Sequence, residues 1–189
     1  LAAVICSYDP LRAEAKDAIR ALHACGISKV VMMTGDNRRT AASVAEEVGV
    51  DEFYAEVLPE DKAAFIRREK AAGRTVIMIG DGVNDSPALS EADAGVAIST
   101  GAAIAREIAD ITIASEDLFE LVTLRKISEA LMGRIHRNYR FIVGFNLGLI
   151  VFGVAGLLPP TTSALLHNAS TLAISLKSMT NLLPDKKKI

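Results

Sequence analysis

Tryptophan is absent from the 189 residues, aromatic residues of all kinds make up only 5%, and there are just two cysteines. Cys6 and Cys25 stand far apart with no metal-ligand spacing. They read as two reduced, buried thiols in a cytosolic setting, and a disulfide-stapled scaffold is excluded. Charge of neither sign is in marked excess: the net value is −2. That provides no electrostatic footprint for nucleic acid, so no such partner is expected. What the chain has instead is apolar bulk. Half of it is hydrophobic and the mean hydropathy is +0.29, although 23% of the residues are charged. The two populations are expected to be segregated into a polar-surfaced part and a greasier one. The first residue is leucine and no signal peptide precedes the first strand, which suggests a piece of a longer protein.

From Leu1 to about Ser115, short apolar runs alternate with amphipathic stretches. "LAAVIC", "KVVMM", "TVIMI", "AGVAI" and "DITIA" read as strands. Leu11 to Ala24, Thr40 to Val48 and Pro59 to Ala72 read as helices, with a short segment at "EFYAEV". This alternation predicts an α/β domain over residues 1–115, a mostly parallel sheet with flanking helices. Nearly continuous apolar strands further predict that both sheet faces are covered. A long helix, or stalk, is expected over 116–140. Beyond it, Phe141 to Leu158 contains one strongly polar side chain, Asn146. Eighteen helical residues extend about 27 Å, near the hydrocarbon thickness of a bilayer. Pro159 and Pro160 break the run, and a second apolar stretch reaches Leu183. A transmembrane helical hairpin is therefore expected over 141–183, followed by a basic tail, 184–189. Arg134, Arg137 and Arg140 precede it, Lys186, Lys187 and Lys188 follow it, and no basic residue lies in the turn between the spans. The positive-inside rule then places both ends, and the α/β domain, in the cytoplasm.

Three motifs fall where an open parallel sheet puts its ligands, at the carboxyl ends of strands. In "MTGDN", the Thr34 hydroxyl and the backbone amides of a glycine turn can bind phosphate oxygens, although Thr-Gly-Asp is also an ordinary helix cap. In "LPEDK", proline at a helix start puts Lys62 in the first turns, where an ammonium can face a phosphoryl group or simply be solvated. In "GDGVND", Asp81 leaves a strand and Asp85 follows one turn later. Two carboxylates so close repel unless a cation joins them. Mg²⁺ suits, because it accepts one or two carboxylates and completes its shell with waters and phosphate oxygens. Helix capping accounts for one acidic residue there but not for two plus Asn84.

In this order and spacing the motifs resemble those of the haloacid dehalogenase superfamily, with its Rossmann-like parallel sheet. They are most similar to the phosphorylation domain of P-type ATPases of the heavy-metal (type IB) branch. "DPLR", Asp9 to Arg12, resembles the return from that family's nucleotide-binding domain, and "ADAGVAI" and a terminal hairpin are also family-like. The resemblance implies an ATP-driven cation pump of the plasma membrane that uses Mg²⁺ and works through an aspartyl-phosphate. It implies that Thr34 and Gly35 bind the transferred phosphoryl group, with Asp36 and Asn37 supporting the turn and the nucleotide. Lys62 would neutralise developing charge. Asp81 and Asp85 would hold Mg²⁺, with Asn84 at the ion or its waters. The Asp-Lys-Thr-Gly-Thr motif that carries the nucleophile in these pumps does not occur in the chain, so a carboxyl-terminal fragment, inactive alone, is expected. The alternative is a membrane-anchored phosphatase of the same superfamily using Asp9.

The resemblance further implies a transported transition-metal cation of the zinc, manganese, copper or cadmium class. His167 is a candidate ligand, because imidazole suits such metals and because His167, Ser170 and Thr171 share one helix face. The opposing reading is that His167 and Asn168 sit near the outer end of the helix and only pack or cap.

Overall fold

The computed structural model describes residues 11–80, 83–98, 107–113 and 117–183. The "LAAVIC" strand, Asp9, Asp81 and the basic tail lie outside the described residues. The chain divides into two compact units, Leu1–Val122 and Thr123–Ile189.

In the first unit the order is α1 (Ala15–Ala24), β1 (Val31–Met33), α2 (Arg38–Val48), β2 (Glu52–Tyr54), α3 (Pro59–Ala71) and β3 (Ile77–Gly80). A 3₁₀ turn (Val83–Asp85), α4 (Ser86–Glu91), β4 (Ala94–Ile98) and β5 (Ile111–Ile113) follow. Every strand pairing is parallel. β1 pairs with β2, and β4 lies between β3 and β5. Local chemistry fixes the helix ends. Asn37 caps α2 by accepting from the Thr40 amide at 3.0 Å, and Gly49 closes it in the left-handed conformation, φ 81°. Pro59 opens α3, and the Asp61 carboxylate reaches back to the Leu58 amide at 3.2 Å.

Ile66 of α3, Met78 of β3, Ala88 and Leu89 of α4 and Ala97 of β4 form the core, with Met33 of β1, Val76, Ala92 and Ala109 packed against it. Helix and sheet come close because the contact residues are small. A methyl group on Gly95 would lie 2.7 Å from the Leu89 carbonyl oxygen. The sheet departs from expectation on one face. Met78 and Gly80 are buried, but Ile77 and Ile79 are 47% and 37% exposed. Continuous apolarity in β3 therefore did not mean that the described residues cover both faces.

A thirty-six-residue helix, α5 (Phe119–Val154), begins in the first unit and continues as the main element of the second. The stalk and the start of the following apolar stretch are thus one uninterrupted helix. It ends at Gly156, φ 73°, where the Leu157 amide turns back to the Phe152 carbonyl at 2.9 Å. Pro160 then opens α6 (Pro160–Ser178).

The expected transmembrane hairpin finds no support in the helices themselves. Among the described residues no helix is long and apolar enough to cross a membrane. The apolar run 141–158 is not all helix: its helical part stops at Val154 and shares α5 with Arg134, Arg137 and Arg140. The second run ends as helix at Ser178, short of Leu183, and is diluted by Thr161, Thr162, His167, Asn168 and Lys177. Even so, both helices display large apolar side chains, among them Leu147, Ile150, Val154, Leu165 and Leu172.

Candidate functional site

Two segments of the first unit bring the sequence motifs into play. The first leaves β1. Met33 packs against the core, and the next residue, Thr34, begins a tight polar turn. Its hydroxyl donates to the Asp36 carboxylate at 3.0 Å, and the Asp36 amide donates back to the same hydroxyl oxygen at 3.1 Å. Asn37 is occupied as the cap of α2. Gly35 has nothing within 4 Å of where a Cβ would stand, so its backbone is open to an approaching group. Thr34 is half-buried, and the rest of the turn is exposed.

The second segment leaves β3. Gly80 ends the strand, and the 3₁₀ turn returns Asp85 over it. A Cβ on Gly80 would come within 2.7 Å of the Asp85 Cβ and 2.9 Å of its Oδ2, so the glycine is what lets this carboxylate lie against the strand end. Asp85 is the buried charged residue among those described, 9% exposed. Its charge is balanced by Lys62 from the first turns of α3, whose Nζ stands 2.7 Å from Oδ1. Both side chains are largely withdrawn from water, where a lone charge would be costly.

The structure therefore brings Lys62 and Asp85 together, residues twenty-three apart in sequence. It puts Thr34, Gly35, Asp36 and Asn37 in one turn and leaves Asn84 exposed beside Asp85. Asp81 lies outside the described residues.

A carboxylate offers about four acceptor positions, and Lys62 takes one on Asp85, leaving hard oxygen donors suited to a divalent cation. Among the described residues no three His, Cys, Asp or Glu side chains converge, as an all-protein transition-metal cage would require. The open acceptor positions of Asp85 suit an ion such as Mg²⁺ that shares its shell with phosphate and water. Sequence reasoning missed Ser86, whose hydroxyl is buried beside Asp85 without a hydrogen-bond partner among the described residues. Serine after aspartate gives no signal of burial.

In the second unit, His167 Nδ1 stands 2.8 Å from Asn146 Oδ1, linking α6 to α5. An amide oxygen only accepts, so in this pair the imidazole Nδ1 is the donor. Ser170 and Thr171 share the face of His167, as expected, but both hydroxyls donate to its carbonyl, at 2.8 and 3.0 Å.

Comparison with known proteins sets this geometry in context. A haloacid dehalogenase-like hydrolase family matches residues 1–93. The chain is 46% identical to a copper-transporting ATPase of Rhizobium meliloti over 88% of its own length and 20% of the relative's. It is 41% identical to a manganese-exporting P-type ATPase of Mycobacterium bovis over 92% of its length and 24% of the relative's. Among solved structures, a zinc-transporting PIB-type ATPase in its E2.Pi state superposes with a TM-score of 0.85 at 33% identity, covering 90% of this chain and 28% of that one. The chain thus spans about a fifth to a quarter of the curated relatives' length.

Proposed function

We propose that the chain belongs to the heavy-metal P-type ATPases it resembles and that, with its haloacid dehalogenase-like domain, it forms the phosphate-handling half of the phosphorylation site of an ATP-driven metal pump. The observation that carries this reading is the 2.7 Å pair of Lys62 and Asp85. It lies at the end of β3, while the Thr34 turn leaves β1, whose Met33 shares the same core. An incoming phosphoryl group would replace the Asp36 carboxylate as acceptor of the Thr34 hydroxyl and draw on the amides of the open Gly35 turn. The Lys62 ammonium, already oriented by Asp85, would offset the charge that spreads over the phosphoryl oxygens. Transfer of this kind requires positioning and charge neutralisation more than covalent work from these groups.

Asp81 and Asp85 would hold Mg²⁺, with Asn84 toward its waters; the ion would supply charge neutralisation between carboxylate and phosphate. The nucleophilic aspartate would come from the part of the pump that this chain does not share, since no Asp-Lys-Thr-Gly-Thr occurs in it.

The cargo would be a transition-metal cation, with His167 Nε2 as one ligand atom. Relatives named for copper, manganese and zinc support that reading. We place α5 and α6 in the membrane part of the pump as helices of a bundle. Their apolar sides would face lipid, and the Asn146–His167 pair would face other helices, where an intramembrane polar group finds partners.

In the full-length pump, Lys62→Ala should lower ATP-dependent phosphoenzyme formation by roughly a hundredfold, the size of effect seen when one charge-stabilising donor is removed. Asp81→Asn should nearly abolish it. Acid-quench labelling with γ-³²P ATP reads both, and near-normal labelling of either variant would overturn the assignment.

A further inference from the structure

Glu56 is the one residue other than glycine with positive φ among the described residues, at 56°. Left-handed backbone is uncommon for a glutamate, whose Cβ crowds the following carbonyl. It persists only where surrounding bonds over-determine it, and here they do. β1 and β2 pair in parallel register through Met33 and Tyr54, and the Thr34 amide donates to the Tyr54 carbonyl at 3.0 Å. In an uninterrupted ladder the next bond, to the Thr34 carbonyl, would come from the Glu56 amide. It comes from Val57 instead, at 3.0 Å, one residue late. The Glu56 amide is redirected to the Asp36 carbonyl at 2.9 Å. This is a bulge with a left-handed residue in the place usually given to glycine, and such bulges re-aim backbone next to functional sites.

We infer that Glu56 is a positioning residue. Its left-handed backbone fastens the segment leading to Lys62 onto the Thr34–Asp36 turn, so that phosphate-binding hydroxyl and ammonium are carried on one backbone unit. Leu58, two residues on, caps α3, and Lys62 lies in the first turns of that helix. Few freely rotating bonds therefore separate the bulge from the ammonium stem. The role rests on the phosphate-site reading above, but the latch does not.

The test compares Glu56→Gly and Glu56→Asn, which tolerate left-handed backbone, with Glu56→Val, whose branched Cβ does not. Inorganic phosphate with Mg²⁺ is titrated into the intact chain by ³¹P NMR, and amide hydrogen exchange is followed at Glu56 and Val57. Glycine and asparagine should keep phosphate affinity within about twofold, whereas valine should weaken it about tenfold or more, the scale of backbone strain. The melting transition should stay cooperative in all three. Valine should also lose exchange protection at both amides. Equal affinity for all variants, or equal loss in glycine and valine, would overturn the positioning role. If the wild-type chain binds no phosphate, the phosphate-site reading fails instead. Exchange still decides the latch: unchanged protection in Glu56→Val would sink it.

Discussion

Asp93 illustrates how single carboxylates tune this domain. Its Oδ2 accepts from the Val76 amide at 2.8 Å, and its Oδ1 lies 3.3 Å from the Lys70 ammonium. The bond from the Val76 amide is the chief cause holding its pKa below the ordinary 3.8; partial desolvation opposes it, and Lys70 adds to the lowering. A carboxyl depressed in the folded state adds stability that is fully present above the unfolded value and is lost as pH falls through the folded one. The urea midpoint should therefore drop as pH falls below 3.8, and Asp93→Asn should flatten that part of the profile. An unchanged acid slope in the variant would remove Asp93 from the account. Glu52 has the same sign, through its hydrogen bond with Lys29 first. Lys62 and Asp85 differ in kind: they neutralise each other inside the fold, and geometry fixes their partnership.

Among the elements, the end of α6 is held from outside itself. A helix leaves its last carbonyls without intrahelical partners. Here the Arg134 guanidinium of α5 donates to three carbonyls at and just past the helix end: Ser178 at 2.9 Å, Thr180 at 2.6 Å and Asn181 at 2.9 Å. Asn138 adds a bond to the Ser178 hydroxyl at 2.9 Å. The positive charge also complements the helix C-terminus. A lysine carries its three donors on one nitrogen and cannot reproduce this planar fork. Arg134→Lys should speed amide exchange at Met179 and Thr180 by about tenfold, the scale of a lost charged hydrogen bond, and leave the middle of α6 unchanged. Exchange that is equally slow in both proteins would show that the fork is dispensable. Positive-inside counting singled out Arg134 as a charge; its use as a cap required the two helix ends to be seen side by side.

For the whole molecule, the two units differ in what they leave uncovered. The first buries its apolar residues around Ile66, Leu89 and Val96, while the second exposes many along both helices. If that exposure serves lipid within a helical bundle, the chain should co-sediment with phospholipid vesicles. Leu147→Arg with Ile150→Arg should weaken binding markedly, since a charge deep in hydrocarbon costs about 2.5–3.5 kcal/mol. A chain that stays dispersed in the supernatant would send those faces to protein partners instead. The sequence by itself determined the order of strands and helices among the described residues, and it set the three motifs apart by residue type and spacing. Those are properties of neighbouring residues: hydrophobic period, turn residues and spacing are all local. The tertiary structure alone decided that Lys62 belongs to Asp85, that His167 meets Asn146, and that a glutamate bends left-handed beside Thr34. Each of these depends on residues distant along the chain meeting in space, and such meetings leave no periodic or compositional trace.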